Sequence, residues 1–280
     1  MSKINKKPKV LIIIPTFNGE KYVNETIKCC LNQTYKHLEI TVIDDFSEDN
    51  TIKILNHFSD KINLITNDRH VGLPKNLNRV LKNSKSEYFV KVDQDDLIER
   101  EHVANMLNFF DNDTVGVFCN PKVIDKEGNF KRLFYEDKLQ TKKTKKVLEE
   151  LCFSNFISGV GMMHKTSNFK KIDGIDEKYD MYWEWLYYVQ ITSLGKIKYN
   201  PTIKSSWRNH DTNSTLTFYS KKRNKSFLIY KLRCKLLAFS KLKKPFLLPK
   251  FLYFIFIDFV AYFKGLLSHN KKIIKLFSYL

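Results

Sequence analysis

Short apolar runs alternate along this chain with longer stretches whose apolar residues recur every three or four positions. Lys9-Val10-Leu11-Ile12-Ile13-Ile14 is apolar throughout after its lysine, the pattern of a strand buried on both faces of a parallel sheet. Pro15 to Glu20 turns the chain, and Tyr22, Val23, Thr26, Ile27, Cys30 and Leu31 follow at helical spacing. Leu38 to Ile43 predicts a second strand that stops at Asp44-Asp45-Phe46-Ser47. Asp49 or Asn50 suits the cap of a helix carrying Ile52, Leu55 and Phe58. Ile62 to Ile65 predicts a third strand, Gly72 precedes a helix through Leu77 and Leu81, and Tyr88 to Val92 predicts a fourth strand. Such alternation implies an α/β fold, a mainly parallel sheet with helices on both faces. Ligands in these sheets sit beyond the carboxyl ends of the strands. Three strands end in polar turns bearing carboxylates, at Pro15 to Glu20, at Asp44-Asp45 and at Asp93 to Asp96, so all three are expected at one mouth.

The last of these turns carries the sharpest chemistry. Asp93-Gln94-Asp95-Asp96 sets three carboxylates within four positions, where they repel one another unless a cation sits among them. Hard divalent cations take oxygen ligands, and Mg²⁺ commonly takes one or two carboxylates plus substrate phosphates. The cluster therefore suits a metal–diphosphate; its plain structural alternative is an acidic turn after a strand. Further on, Val103, Met106, Leu107 and Phe110 suit a helix, Thr114 to Cys119 a strand, and Asp125 to Gly128 a hairpin turn. Lys142 to Lys146 reads as a solvated helix start.

Charge divides the chain unevenly. Of the net +18, residues 216–280 carry +14, with Asp258 as their one acidic residue. Five cysteines (Cys29, Cys30, Cys119, Cys152, Cys234) show no CxxC spacing, which argues for reduced thiols in a cytosolic setting. The apolar run at Val10 to Ile14 is too short for a signal peptide.

Taken together, Ile14-Pro15-Thr16-Phe17-Asn18-Gly19-Glu20, Ile43-Asp44-Asp45-Phe46-Ser47, Gly72 with Lys75-Asn76, and Asp93-Gln94-Asp95-Asp96 resemble, in order and spacing, the successive signatures of family 2 glycosyltransferases. The resemblance extends through about residue 215. It implies the GT-A fold, a Rossmann-like, mixed but mainly parallel sheet flanked by helices, and an inverting transfer from a nucleotide-sugar donor. Phe46 stands where the family usually has Gly, Lys75 where it has Arg, and Gln94 where it has a small residue. Lysine is a point charge where arginine is a planar fork, so a bidentate contact is not expected of Lys75.

The resemblance also implies roles. Asp44, with Asp45 beside it, would read the uracil N3–H of a UDP-sugar; Pro15, Thr16, Phe17, Asn18 and Glu20 would line base and ribose. Lys75 and Asn76 would approach the nucleotide or its phosphates. Asp95 would ligate a divalent ion (Mn²⁺ or Mg²⁺), Asp93 would contact ribose or metal, Asp96 would contact the sugar or the metal, and Gln94 would belong to the donor-binding turn. In Trp207-Arg208-Asn209-His210, which resembles the family's Arg-x-His segment, Arg208 would neutralise the leaving group and His210 would bind metal or phosphate. Phe156 to Met163 looks like the strand that follows the metal site. Counting back eleven residues from Gly195 in Gly195-Lys196-Ile197 places the family's base at Glu184, with Asp180 as its rival. Trp183 and Trp185 would partly desolvate Glu184 and raise its pKa, as a base working near neutrality requires. Plain alternatives stand beside these roles: a strand-end turn for Asp44-Asp45, a core aromatic for Phe17, a solvated helix residue for Asn76, a surface carboxylate for Glu184.

The chain thus reads as a catalytic domain over residues 1–215 and a basic, apolar helical extension over 216–280. Ser220 to Lys244 has the pattern of a basic amphipathic helix on a membrane surface. Phe251 to Phe263, thirteen residues interrupted by Asp258, is expected to be too short to span a bilayer and to lie in the interface. A helical hairpin packed on the catalytic domain, or a homodimer contact, is the alternative. No nucleic-acid-binding motif accompanies the positive charge. The expectation is a UDP-sugar-dependent hexosyl- or N-acetylhexosaminyltransferase acting on a saccharide acceptor, lipid-linked, for a bacterial surface polysaccharide. It would be cytoplasmic and peripheral on the inner face of the cell membrane, bound to anionic lipid. A sugar-phosphate nucleotidyltransferase and a non-catalytic membrane scaffold are the other readings.

Overall fold

A computed structural model describes residues 7–135, 141, 143–179, 182–213 and 225–267. They fall into two units, Met1–Val147 with Ile157–His210, and Leu148–Phe156 with Asp211–Leu280.

In the first unit, strand β1 (Val10–Thr16) leads to helix α1 (Val23–Leu31), β2 (Leu38–Asp44) to α2 (Thr51–Asn56), and β3 (Asn63–Thr66) to α3 (Leu73–Asn83). Then come β4 (Tyr88–Lys91), β5 (Leu97–Ile98), α4 (His102–Leu107), β6 (Thr114–Cys119) and the hairpin of β7 (Lys122–Ile124) and β8 (Phe130–Leu133). Asp125 to Gly128 makes its turn, with Gly128 at φ 92° donating its N–H to the Asp125 carbonyl at 3.0 Å. Helix α5 (Val147–Leu151) crosses into the second unit. The first unit resumes with β9 (Met163–Lys165), α6 (Thr166–Lys171), α7 (Trp183–Ile191), β10 (Lys196–Asn200) and β11 (Ser205–Arg208).

Seven strands form the main sheet in the order β10-β6-β9-β4-β1-β2-β3, all parallel except β9, which runs antiparallel to both β4 and β6. Strand β1 is an interior strand, paired on both sides by β4 and β2, which is why Val10 to Ile14 are all apolar and buried. Its register pairs Thr16 with Asp44 and Ile13 with Lys91, so the turns after β1, β2 and β4 emerge at the same sheet edge. A second sheet, β5-β11-β7-β8, carries the end of β11 toward that edge, where Arg208 and His210 bond the acidic turn. Phe156 to Met162 is not a strand: Gly161 has φ 68°, the Met162 N–H bonds the Gly159 carbonyl at 3.1 Å, and pairing starts only at Met163.

In the second unit, α8 (Lys225–Leu242) and α9 (Leu248–Leu267) form a hairpin. Phe239 stacks on Phe251 near the bend at 4.4 Å, and Lys231 and Lys235 reach Asp258 farther along, so the helices run antiparallel. Lys235 sits 2.7 Å from Asp258, and both are buried. Phe153 packs on Phe254 at 4.9 Å, and Lys244 pairs with Glu149 at 3.1 Å. The expectation that this apolar run is too short for a bilayer is overturned: α9 has 20 residues, about 30 Å at 1.5 Å per residue. Pro249 does not stop it, because proline is tolerated in the first turn. Pro245–Phe263 has a mean hydropathy of 1.8 and suffices to cross a membrane by length and composition. Leu252, Tyr253, Phe256, Phe259 and Phe263 of α9 are exposed.

Candidate active site

The turn after β1 and the turn after β2 are laced together. Asn18, at φ 50°, donates its N–H to Ser47 Oγ at 2.9 Å and accepts the Glu48 N–H at 2.9 Å. Glu20 accepts from Asn50 and donates its own N–H to Asp49, whose carboxylate caps Thr51. Asp44 is buried and accepts from the Ser47 N–H (2.9 Å), Ser47 Oγ (2.6 Å) and Thr16 Oγ1 (3.1 Å). A carboxylate offers about four lone-pair sites, and these bonds take three of them. Asp45 accepts from Val71 and Gly72 N–H groups, from Asn67, and pairs with His70 at 3.0 Å. Burial alone would raise Asp45; the bonds from Val71, Asn67, Asn76 and Gly72 outweigh it and hold the carboxyl below its ordinary range. Asn76 is buried and bonds Asn67 at 2.8 Å, which makes it a buttress of this corner; Lys75 is exposed. Pro15 is half-buried at the end of β1. Phe17 is 42% exposed and lies against the His70 ring at 4.5 Å with the ring planes tilted by 49°, which leaves an exposed aromatic platform at the sheet edge.

The acidic turn after β4 joins that corner through Gln94, whose side chain accepts the Phe17 N–H at 2.8 Å and donates back to the Phe17 carbonyl at 3.1 Å. Its three carboxylates have different partners. Asp93 takes the Lys91 ammonium on both oxygens, at 2.7 and 2.6 Å. Asp95 meets His210 Nε2 at 2.8 Å. Asp96 is buried and accepts the Arg208 N–H at 3.1 Å. Burial and the repulsion of Asp93 push Asp95 up, against the pull of His210; burial with Asp95 and Asp93 pushes Asp96 well up. Carboxylates so destabilised as anions suit a bound cation. Among the described residues no three His, Cys, Asp or Glu side chains form a ready metal cluster. Asp95 and His210, 2.8 Å apart, are the residues that could hold a divalent ion, whose remaining positions would fall to phosphate and water.

Arg208, expected to meet the leaving group, is 1% exposed. Its guanidinium bonds Glu25 at 2.6 Å, the Asp95 carbonyl at 3.0 Å and the Lys126 carbonyl at 3.3 Å, and stacks over Tyr22 at 4.8 Å. Here it clamps the acidic turn to α1 and the β7–β8 turn rather than facing the mouth.

Glu184 lies in the first turn of α7, between the buried Trp183 and Trp185. Burial raises its pKa, Lys91 lowers it and Asp93 raises it again, with a net shift upward. Its side chain keeps 29% exposure, and Oε1 stands 3.9 Å from Lys91 Nζ. Asp180, the rival base, lies outside the described residues. Lys91, His70, Glu25 and Gly159 belong to this neighbourhood but were not singled out by pattern. Lys91 carried a signal all the same, as a charge inside an otherwise apolar strand.

The family described as glycosyl transferase family 2 matches residues 11–172. An uncharacterised glycosyltransferase of Rickettsia typhi is 33% identical over 226 residues, covering 78% of this chain and 69% of its own. S. aureus TarS 1–349, solved in complex with UDP-GlcNAc, superposes with a TM-score of 0.61 at 19% identity, over 83% of this chain and 72% of that one. The mannosyltransferase PcManGT of Pyrobaculum calidifontis, solved with GDP-Man and Mn²⁺, gives 0.65 at 15% identity over 97% and 84%. Fold and comparisons together define a GT-A glycosyltransferase. More narrowly, the chain belongs to glycosyltransferase family 2.

Proposed function

We propose that this chain transfers a hexose or N-acetylhexosamine from a UDP-sugar to a saccharide hydroxyl with inversion at the anomeric carbon. The observation that carries the reading is the meeting at one sheet edge of the Asp95–His210 pair, the Asp93–Lys91–Glu184 chain of charges and the Phe17 platform. Glu184 takes the acceptor hydroxyl proton; the oxygen so freed forms its bond to the anomeric carbon as the bond to the diphosphate oxygen breaks, and that electron pair leaves with UDP. A single in-line displacement of this kind inverts the centre. A divalent ion held by Asp95 and His210 would supply charge neutralisation on the departing diphosphate. Asp44, through its remaining lone pair, would read the base, and Phe17 with His70 would offer a stacking face.

The hairpin of α8 and α9 is read as a membrane-surface attachment. It joins a basic helix to one with an exposed apolar side, in a segment of net +14. The Lys235–Asp258 pair favours the interface over a full crossing, since buried charge is costly in hydrocarbon. Attachment to the inner face of a bacterial membrane would bring the site to a lipid-linked acceptor for surface polysaccharide.

The test is nucleoside diphosphate release from a panel of UDP- and GDP-sugars, with Mn²⁺, Mg²⁺ or EDTA, with and without a saccharide acceptor. The expected result is acceptor-stimulated UDP release that EDTA abolishes. Pyrophosphate release from a sugar phosphate and a nucleoside triphosphate would replace this reading with a nucleotidyltransferase, and GDP release would move the donor assignment.

A further inference from the structure

Lys91 ends β4, and strand alternation places it on the same sheet face as Phe89 and the following Asp93. It is 7% exposed. A buried ammonium is costly unless it is paired, and this one is paired twice. Asp93 holds it with both oxygens, and Glu184 Oε1 approaches from the first turn of α7 at 3.9 Å. Burial would lower Lys91, but Asp93 and then Glu184 hold it above the ordinary lysine range, so it stays charged. Around the two side chains the cavity wall is mostly apolar, with Leu77, Leu81, Phe89, Phe169 and Trp183, and its polar members are the buried His164, Tyr187 and Tyr188. Low dielectric strengthens a charge contact at this distance compared with water. On its other side Glu184 Oε1 lies against Gly159, so close that a Cβ there would stand 2.1 Å away. The carboxylate is thus confined between one glycine and one cation.

We propose that Lys91 is a positioning residue that holds the Glu184 carboxylate in the place a proton acceptor needs and ties it to Asp93. The inference rests on the transferase reading with Glu184 as base. It also separates the acidic turn into parts: Asp93 is neutralised by Lys91, while Asp95 and His210 are left for the cation.

The test uses the full chain in four forms: wild type, Lys91→Met, Glu184→Gln and the double variant, with Lys91→Arg as the conservative control. Lys91→Met should lower kcat roughly 10- to 100-fold, the usual effect of removing a group that orients a catalytic one. UDP affinity in Mn²⁺ by calorimetry should stay within about twofold, the scatter expected of an independent site. Lys91→Arg should recover most of the rate. In the Glu184→Gln background, whose residual rate is read in long incubations, Lys91→Met should cost no more than about twofold further. Should Lys91→Met fail to fold, the neutral polar variant Lys91→Gln with and without Glu184→Gln reads the same coupling. A full multiplicative loss in the Glu184→Gln background, or a loss confined to UDP affinity and donor KM, overturns the proposal and assigns Lys91 to the nucleotide through Asp93. A wild type that turns over no nucleotide-sugar overturns the transferase reading itself, which is a different result from an active wild type indifferent to Lys91→Met.

Discussion

Gly159→Ala separates activity from stability more cleanly than any substitution of a charged group. A Cβ at this position would lie 2.1 Å from Glu184 Oε1, 2.8 Å from its Cδ and 3.0 Å from Tyr188 Oη. To reach the 3.4 Å of ordinary contact the Glu184 oxygen must retreat by about 1.3 Å. The clashing atoms are the tip of a flexible side chain with 29% exposure, so the overlap is relieved by rotating the carboxylate rather than by moving backbone. Replacing glycine by alanine also removes unfolded-state freedom, worth about 0.4–1 kcal/mol where the backbone is compatible. The net change in stability should therefore fall within about 1 kcal/mol, a shift of a few degrees in thermal midpoint. Activity should respond quite differently. A misplacement of about 1 Å at a reacting group can cost on the order of 10²-fold. Steady-state kinetics with a saturating donor should show kcat lowered by about that factor, with donor KM little changed. Unaltered kcat with a large fall in thermal midpoint would refute the reasoning, because it would mean that the space under Gly159 serves packing and that Glu184 is not held there for chemistry.

Other substitutions probe the rest of the site. Asp95→Asn should keep the fold and reduce metal-dependent turnover by about 10²-fold or more, read as rate against Mn²⁺ concentration; an unchanged titration would remove Asp95 from the metal site. Asp44→Ala should weaken UDP binding by calorimetry and also lower the thermal midpoint, since Asp44 holds the Ser47 turn; equal UDP affinity would show that it only organises the loop. His102 and His164 are buried and held down by burial to about 4 and about 3, below the ordinary 6.5. Their folded values are depressed, so the stability they contribute is present above about pH 6.5 and lost as pH falls toward 4 for His102 and toward 3 for His164, on the order of 3 kcal/mol for the first and 5 kcal/mol for the second once each shift is fully developed. Denaturant midpoints between pH 7 and 5 measure this, and a flat profile would contradict it. The full-length chain should sediment with anionic vesicles and be only partly released by high salt, because apolar contact survives screening; indifference to every vesicle composition would leave the hairpin as a structural element.

Periodicity in the sequence reported the strands of the sheet edge well because each is decided locally. Val10 to Ile14 needs only its own residues to declare a doubly buried strand, and the turns after β1, β2 and β4 follow from where the apolar runs stop. Phe156 to Met162 failed for a local reason too, since Gly159 and Gly161 permit a turn that apolar content conceals. Phe46 shows the opposite lesson. It sits at φ 71°, a region unfavourable for a bulky residue, and its departure from the family's glycine was visible before the backbone explained it.

What periodicity does not reach is charge compensation between distant segments. Arg208 and Glu25 are 183 positions apart, and no spacing rule says which side of a loop a guanidinium will face. The same limit applies inside the acidic turn. As letters, Asp93, Asp95 and Asp96 are three equal negative charges that together request a cation. In the fold, Asp93 has the ammonium of Lys91, Asp95 has the imidazole of His210 and Asp96 has the backbone N–H of Arg208. Only the middle one is paired with a group that can also ligate a metal. The repulsion inferred from the sequence is only partly met within the protein, since Asp93 still pushes Asp95 up and both push Asp96 up. On the proposed reading a divalent ion would compete with His210 for Asp95 alone, with phosphate and water completing its shell. Such a site would be weak until the diphosphate arrives, and metal and donor should bind this chain with positive coupling.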